Sequence, residues 1–221
     1  MNTWERLWRT AGIQFVALCI LACIIYGDLP GVGTPADTLI AFYQTERMRI
    51  FIATVFSGLA VLNLMWFAAA LRVTLADAGQ DGWGAAATAS SAAVGALAFL
   101  LLSVAAGLAY SIASPDNRTL ATALNDFAWT CGVLTAFPRA MLIMSSAFGL
   151  WRAKLISDAL FSVGVAVVIL GVLGGTTWAS GGIWAPAGVY SRFVLPAISL
   201  AWVLVVSRVL LTRAPSTRAG W

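Results

Sequence analysis

The residue pair Pro138-Arg139 is the strongest candidate in this sequence for a chemically active position. It lies near the middle of a long apolar segment, where a charged side chain costs about 2.5–3.5 kcal/mol to insert into a bilayer. Proline also removes a backbone N–H, so a carbonyl group one turn earlier loses its helical donor. One interpretation is that Pro138 kinks the helix and so opens a pocket. Arg139 would line this pocket and anchor an anionic or carbonyl group. The other is that Arg139 bonds carbonyls or neutral side chains for structural reasons alone.

Four neutral polar residues are candidates to share an interior site with Arg139. Thr135 lies one helical turn before it, and Asn63 lies near the middle of another apolar segment. Ser103 and Ser199 are placed to reach the same interior region. The alternative for Asn63 is an interhelical hydrogen bond, worth about 0.6–2 kcal/mol, which is the more common role of such an amide. The predicted ligand-binding set is Arg139, Pro138, Asn63, Thr135, Ser103 and Ser199, and we predict no catalytic residue.

Several classes of chemistry are excluded by residues that the sequence lacks. There is no histidine, which removes histidine-ligated haem, HExxH zinc sites and histidine-based triads. The single lysine, Lys154, lies at the end of an apolar segment, whereas a retinal Schiff base needs a lysine inside one. Phosphate-binding glycine loops and GxSxG elbows are also missing. We therefore expect no metal and no cofactor, and we do not expect an enzyme.

The elements that must position these residues are apolar segments long enough to cross a bilayer. Hydrophobic residues make up 61% of the sequence, and charged residues make up only 10%. Soluble domains have about 25% charged residues, and a soluble core cannot use this much apolar surface, so the surplus must face lipid. The net charge of +4 is typical of arginines in cytoplasmic loops and does not indicate nucleic-acid binding.

Turn-forming residues divide the apolar sequence into six segments of helical length. We predict a single transmembrane domain over residues 1–221, folded as an all-α bundle of about six helices. A short amphipathic segment at residues 35–48 is expected to lie at the outer membrane surface. The predicted helices cover roughly residues 12–27, 50–71, 84–112, 120–150, 156–176 and 193–211.

Loop charges predict the orientation of this bundle. Cytoplasmic loops of membrane proteins carry the excess of lysine and arginine. With both termini inside, the inner side holds Arg6, Arg9, Arg72, Arg152, Lys154, Arg208, Arg213 and Arg218, and the outer side holds Arg47, Arg49, Arg118 and Arg192. We therefore expect both termini to be cytoplasmic, in the inner membrane of a bacterium.

Most of the other charged residues have a structural interpretation. Mixed charges near the outer face are expected to form ion pairs that tie the outer loops together: Asp28, Glu46, Arg47, Arg49, Asp116, Arg118 and Asp126. Asp158 lies near the start of the fifth helix, where a carboxylate is favoured by the helix dipole. It is expected to pair with Arg152 or Arg208.

Four short motifs are spaced along nearly the whole chain. They are Arg9-Thr10-Ala11-Gly12, Gly27-Asp28-Leu29-Pro30, Phe148-Gly149-Leu150-Trp151-Arg152 and Ala201-Trp202-Val203. Together with the six-segment pattern, they resemble bacterial six-helix membrane proteins that form the domain-of-unknown-function family 4386. The resemblance implies the six-helix fold. It implies no activity, so no functional residue is carried over from it.

Two classes of function remain after these exclusions. The leading hypothesis is a membrane protein that binds or transports a small molecule or lipid through a polar intramembrane pocket around Arg139 and Asn63. The alternative is a non-catalytic accessory or assembly subunit of a larger membrane complex, or a homo-oligomer, because small-residue helix faces suit close packing. An enzyme that uses cysteine or aspartate chemistry ranks below both. Membrane lipids are expected partners in every case, and nucleic acid in none.

Overall fold

The computed structural model describes residues 9–212, which fold almost entirely as helices. No strand occurs within this range, so the predicted all-α class is confirmed. Three of the arginines expected on the inner side, Arg6, Arg213 and Arg218, lie outside the described residues. The helices are α1 (Ala11–Tyr26), α2 (Ala36–Thr45), α3 (Arg47–Asp77), α4 (Asp81–Gly107), α5 (Arg118–Leu134), α6 (Ala136–Arg152), α7 (Asp158–Gly174) and α8 (Leu195–Thr212).

Between residues 9 and 212, four helical stretches are both long enough and apolar enough to cross a membrane. They are Arg47–Asp77, Asp81–Ile112, Pro115–Arg152 and Tyr190–Thr212, and the apolar helices α1 and α7 are shorter. Large apolar side chains such as Ile24, Trp66 and Ile169 lie exposed on the outside of the helices. So much exposed apolar surface is unfavourable in water and favourable in lipid. The fold is therefore that of a helical membrane protein.

The chain reverses direction at the end of each long helix, which gives the bundle two distinct ends. The cap end carries the segment 27–35, α2 and the connection 175–189, and the base end carries the short connections 78–80 and 153–157. α3 packs on α1 and α4, while α6 packs on α4 and α7. α8 completes the bundle by packing against α1 and α7. The main core lies between these helices and includes Leu64, Phe67, Leu71, Leu150 and Trp202.

Small residues bring α6 and α7 into close contact. A Cβ atom added at Gly171 would lie 3.0 Å from the Cβ of Ala140. One added at Gly164 would lie 2.8 Å from the Cβ of Ala147. Neither glycine has room for a side chain, so the two backbones approach as closely as small-residue faces allow in membrane bundles.

The predicted helix at residues 120–150 is in fact two helices, α5 and α6, joined at Thr135. Pro138 has no N–H for the carbonyl of Leu134, and in a straight helix its ring would collide with that carbonyl. The α-helix is therefore interrupted at Thr135, about one turn before the proline. The helix resumes with the N–H of Arg139 donating to the carbonyl of Thr135 at 3.2 Å. Arg139 thus lies in the first turn of α6.

A second, smaller core lies at the cap end. α2 occupies most of the predicted amphipathic segment 35–48, and it buries Leu39, Ile40 and Tyr43. These side chains pack with Ile50 of α3 and Ala121 of α5, and with residues of the turn after α4. The cap end is therefore held by its own apolar contacts in addition to its loops.

Candidate functional site

Arg139 lies on the face of α6 that points into the bundle. Residues three, four and seven positions away along a helix share a face. From Thr135 to Ser146, the residues so placed around Arg139 are all buried: Thr135, Ala136, Leu142, Ile143 and Ser146. Arg139 itself is half-buried. Arg139 is the one charged residue between Thr135 and Ser146, and the sequence therefore positions it on an otherwise buried face.

The guanidinium group of Arg139 makes no hydrogen bond and no ion pair with any residue in the range 9–212. The thiol of Cys19 on α1 is its electrostatic neighbour within that range. A thiol is a weak hydrogen-bond acceptor, whereas a guanidinium group presents five N–H donors and stays charged in proteins. Cys19 therefore leaves most of the hydrogen-bonding capacity of Arg139 unused.

Thr135 and Asn63 direct their donors to their own helices. The hydroxyl of Thr135 donates to the carbonyl of Cys131 at 2.8 Å, and the amide of Asn63 donates to the carbonyl of Leu59 at 2.9 Å. Thr135 shares the interior face with Arg139. The bond of Asn63 is thus within one helix, and the interhelical bond that we considered for it does not form among the described residues.

Ser103 and Ser199 show the same local pattern. Ser103 is exposed on the outside of α4 and donates to the carbonyl of Phe99 at 2.8 Å. Ser199 is buried in α8 and donates to the carbonyl of Leu195 at 2.7 Å. Bonds of this kind to the preceding turn satisfy a hydroxyl without any tertiary partner. In the described structure no side-chain hydrogen bond joins the predicted polar residues to the guanidinium group of Arg139.

A run of polar residues along α1 was not recognised in the sequence as part of the candidate site. Cys19, Cys23 and Tyr26 recur at intervals of four and three residues, so they lie along one side of α1. The Tyr26 hydroxyl and the Thr54 hydroxyl of α3 share a hydrogen bond of 2.9 Å. The run therefore leads from the level of Arg139 towards the cap end. Helical spacing was the signal that could have identified it.

Arg139 and Cys19 lie on two helices that do not pack extensively on each other. α1 packs mainly on α3 and α8, and it has no extensive contact with α6. The interaction between Arg139 and Cys19 is thus electrostatic, between two helices that do not pack extensively on each other. The described part of the chain contains no group of three or more histidine, cysteine, aspartate or glutamate residues that could hold a metal ion.

Three residues of α5 hold the segment 27–35 at the cap end. The indole of Trp129 donates to the carbonyl of Pro30 at 2.8 Å, and the amide of Asn125 donates to the carbonyl of Gly31 at 3.0 Å. The backbone N–H of Gly33 donates to the carboxylate of Asp126 at 3.0 Å. The segment therefore bridges the cap ends of α1 and α5.

Ion pairs at the cap end tie loops and helices together, as the mixed charges suggested. Arg192 pairs with Asp28 at 2.9 Å, Arg49 pairs with Glu46 at 3.2 Å, and Arg118 pairs with Asp37. Most of these side chains are substantially exposed, and pairs of this type contribute only about 0–1 kcal/mol each. They account for Asp28, Glu46, Arg49 and Arg118 of the expected set, whereas Arg47 lies over the rings of Phe51 and Tyr110 and forms no ion pair among the described residues.

Comparison with known proteins gives no match to this chain among family models, curated proteins or solved structures. The six-helix family resemblance therefore stays a prediction, and the candidate site rests on the geometry around Arg139.

Proposed function

We propose that this is a bacterial inner-membrane protein with six membrane-crossing helices and both termini in the cytoplasm. α1 and α7 add two crossings to those of the four long helical stretches. In the described range the base end carries Arg9, Arg72, Arg152, Lys154 and Arg208 against Asp77, Asp81 and Asp158, and the cap end carries Arg47, Arg49, Arg118 and Arg192 against Asp28, Asp37, Glu46, Asp116 and Asp126. The base end is the more basic of the two, which favours a cytoplasmic base.

Within this membrane the protein binds an anionic small molecule or lipid at Arg139. The observation that carries the proposal is a guanidinium group on the interior face of α6 with no hydrogen bond or ion pair from residues 9–212. Charged residues inside membranes are costly and are retained where they meet a partner, a ligand or water. A bound carboxylate or phosphate supplies the missing acceptors, because the planar guanidinium group matches both groups with two parallel hydrogen bonds.

A second candidate function is that of a subunit in a larger membrane complex. It is favoured by the local hydrogen bonds of Thr135, Asn63 and Ser199, whose donors already bond their own helices. A ligand at Arg139 would therefore receive few hydrogen bonds from these three residues. A carboxylate on a helix of another protein is an equally good acceptor for Arg139, and it would serve to fix assembly.

Native mass spectrometry of the gently extracted full chain tests both functions. We expect an acidic small molecule or lipid on the wild type, its loss in Arg139→Gln, and its partial retention in Arg139→Lys, which keeps the charge without the planar fork. Arg208→Gln is the matched control, because it removes an exposed arginine at the base end. A ligand retained equally by Arg139→Gln would contradict the proposed site. A co-purifying protein released by Arg139→Gln would support the subunit function instead.

A further inference from the structure

An open cavity at the base end lies outside the candidate site around Arg139. Its volume is about 470 Å³, and it forms where α3 turns into α4 beside the end of α6. The cavity is lined by Gly79, Gln80, Gly82, Trp83, Ala86 and Arg152. Nothing in the predicted ligand-binding set belongs to it.

Three polar side chains that line this cavity have no hydrogen-bond partner among the described residues. They are the guanidinium group of Arg152, the amide of Gln80 and the indole N–H of Trp83. The ring of Trp83 is held in place by stacking on Phe148, with 5.4 Å between the ring centroids. Phe148 in turn meets Phe161 edge-to-face. The indole N–H therefore belongs to a fixed ring, and it remains free to donate.

No carboxylate of the described residues pairs with Arg152. Asp158, which we expected to pair with Arg152 or Arg208, instead accepts a hydrogen bond of 2.7 Å from the indole of Trp151. Asp81 faces Arg72 at 3.7 Å. Lys154, two residues after Arg152, adds a second positive charge on an exposed side chain. The cavity thus combines positive charge with neutral donors, and no acidic residue is among the described residues that line it.

We propose that this cavity binds a phosphate group, supplied by the headgroup of an anionic phospholipid. A guanidinium group forms two parallel hydrogen bonds to phosphate oxygens, and an indole N–H and an amide add single donors. Tryptophan and arginine side chains are typical of the level at which lipid headgroups meet a helical bundle. The cavity opens at an end of the bundle, within reach of the membrane surface. This site is independent of the function proposed for Arg139.

The test measures lipid binding by the purified full chain in nanodiscs of phosphatidylcholine with and without phosphatidylglycerol. Native mass spectrometry gives the apparent affinity for phosphatidylglycerol. We expect Arg152→Gln to weaken it about tenfold, because a charge-assisted hydrogen bond is lost, and Trp83→Phe to weaken it about threefold, because stacking survives while one donor is removed. Arg208→Gln, at the same end but outside the cavity, is expected to leave the affinity unchanged.

Two results would overturn the proposal. If Arg152→Gln and Arg208→Gln weaken the affinity for phosphatidylglycerol equally, the lipid is attracted diffusely to a basic surface. If Arg152→Gln and Trp83→Phe both leave that affinity unchanged, the cavity holds no lipid.

Inorganic phosphate is the competing probe. If it displaces phosphatidylglycerol and binds the protein equally well in phosphatidylcholine discs, the phosphate chemistry is supported and the lipid source is overturned. Trp83→Phe keeps the test valid if Arg152→Gln fails to fold.

Discussion

The indole Nε1 of Trp202 in α8 donates a hydrogen bond of 2.8 Å to the hydroxyl of Ser146 in α6. The same hydroxyl donates to the carbonyl of Ile143, also at 2.8 Å. Only 3% of Trp202 and 2% of Ser146 are exposed. Ser146 therefore acts as donor and acceptor at once, and it joins two helices by a polar contact inside an apolar core.

Removing the Ser146 hydroxyl should destabilise the bundle. Ser146→Ala leaves the buried N–H of Trp202 without an acceptor, at an expected cost of about 1–2 kcal/mol in the free energy of unfolding. Ser145→Ala is the matched control, because Ser145 is also buried but its hydroxyl donates only to the carbonyl of Met141 in its own helix. Unfolding in mixed micelles by added sodium dodecyl sulfate gives both values.

A double-mutant cycle separates this bond from changes in packing. In a Trp202→Phe background the N–H is absent, so Ser146→Ala should cost clearly less than it does in the wild type. An unchanged cost in the two backgrounds would show that the bond does not stabilise the protein.

Gly164→Ala should destabilise the contact between α6, α7 and α8. The added methyl group would lie 2.6 Å from the Cη2 atom of Trp202 and 2.8 Å from the Cβ of Ala147. Overpacking of this kind costs about 1–3 kcal/mol. Gly132→Ala is the control, because a Cβ there meets no atom within 4 Å and alanine is the better helix former. Equal stabilities in the same detergent titration would contradict the close helix approach.

Arg139→Met should make the ligand-free protein more stable while abolishing the ligand binding proposed above. The substitution replaces a charge that has no partner in the described range with an apolar chain of similar length. We expect a gain of about 1–3 kcal/mol in the free energy of unfolding. Arg152→Met, at an exposed position, should change it by no more than about 0.5 kcal/mol. A large loss in Arg139→Met would indicate a structural ion pair instead.

High pH should destabilise the cap end through Tyr43. Burial raises the pKa of the Tyr43 hydroxyl to about 12, and the neighbouring Tyr26 adds to the effect. An unfolded tyrosine ionises near pH 10. The folded state therefore favours the neutral phenol, and that stabilisation is complete below pH 10 and is lost as the pH rises to 12.

The measurement for Tyr43 compares the melting temperatures of the wild type and Tyr43→Phe across pH 9 to 12. We expect the wild type to lose stability faster than the variant above pH 10. Only the wild type has a hydroxyl at this position that ionises in the unfolded chain while the fold keeps it neutral. Parallel curves would show that Tyr43 ionises in the folded protein as it does in water.

The helical class and the helix interruption near Pro138 could be predicted because both depend on local sequence. Apolar composition favours helices wherever a backbone must satisfy its own hydrogen bonds in lipid. Pro138 interrupts the helix through its own missing N–H, so the break at Thr135 needs no distant contact. Arg139 was identifiable for the same reason, since a lone charge in a long apolar stretch is visible from its immediate neighbours.

The partners of polar residues could not be predicted, because they depend on tertiary packing. Trp129 bonds the carbonyl of Pro30, which is 99 residues away. The cavity formed by Gln80, Trp83 and Arg152 requires α3, α4 and α6 to meet in one place. When a helix is apolar on nearly all sides, its sequence does not show which side is buried. The outward position of Ser103 on α4 therefore could not be predicted from the sequence.

The helices proposed to cross the membrane differ in length by about a factor of two, and a lipid bilayer must respond to that difference. α1 has 16 residues, or about 24 Å, while α3 has 31 residues, or about 46 Å. The hydrocarbon layer is about 30 Å thick, so in the six-crossing arrangement α3 exceeds it and α1 and α7 fall short. Both short helices pack against α8. Hydrophobic mismatch is thus concentrated on one flank of the protein, where the bilayer must become thinner, and the protein should favour thin membranes over thick ones.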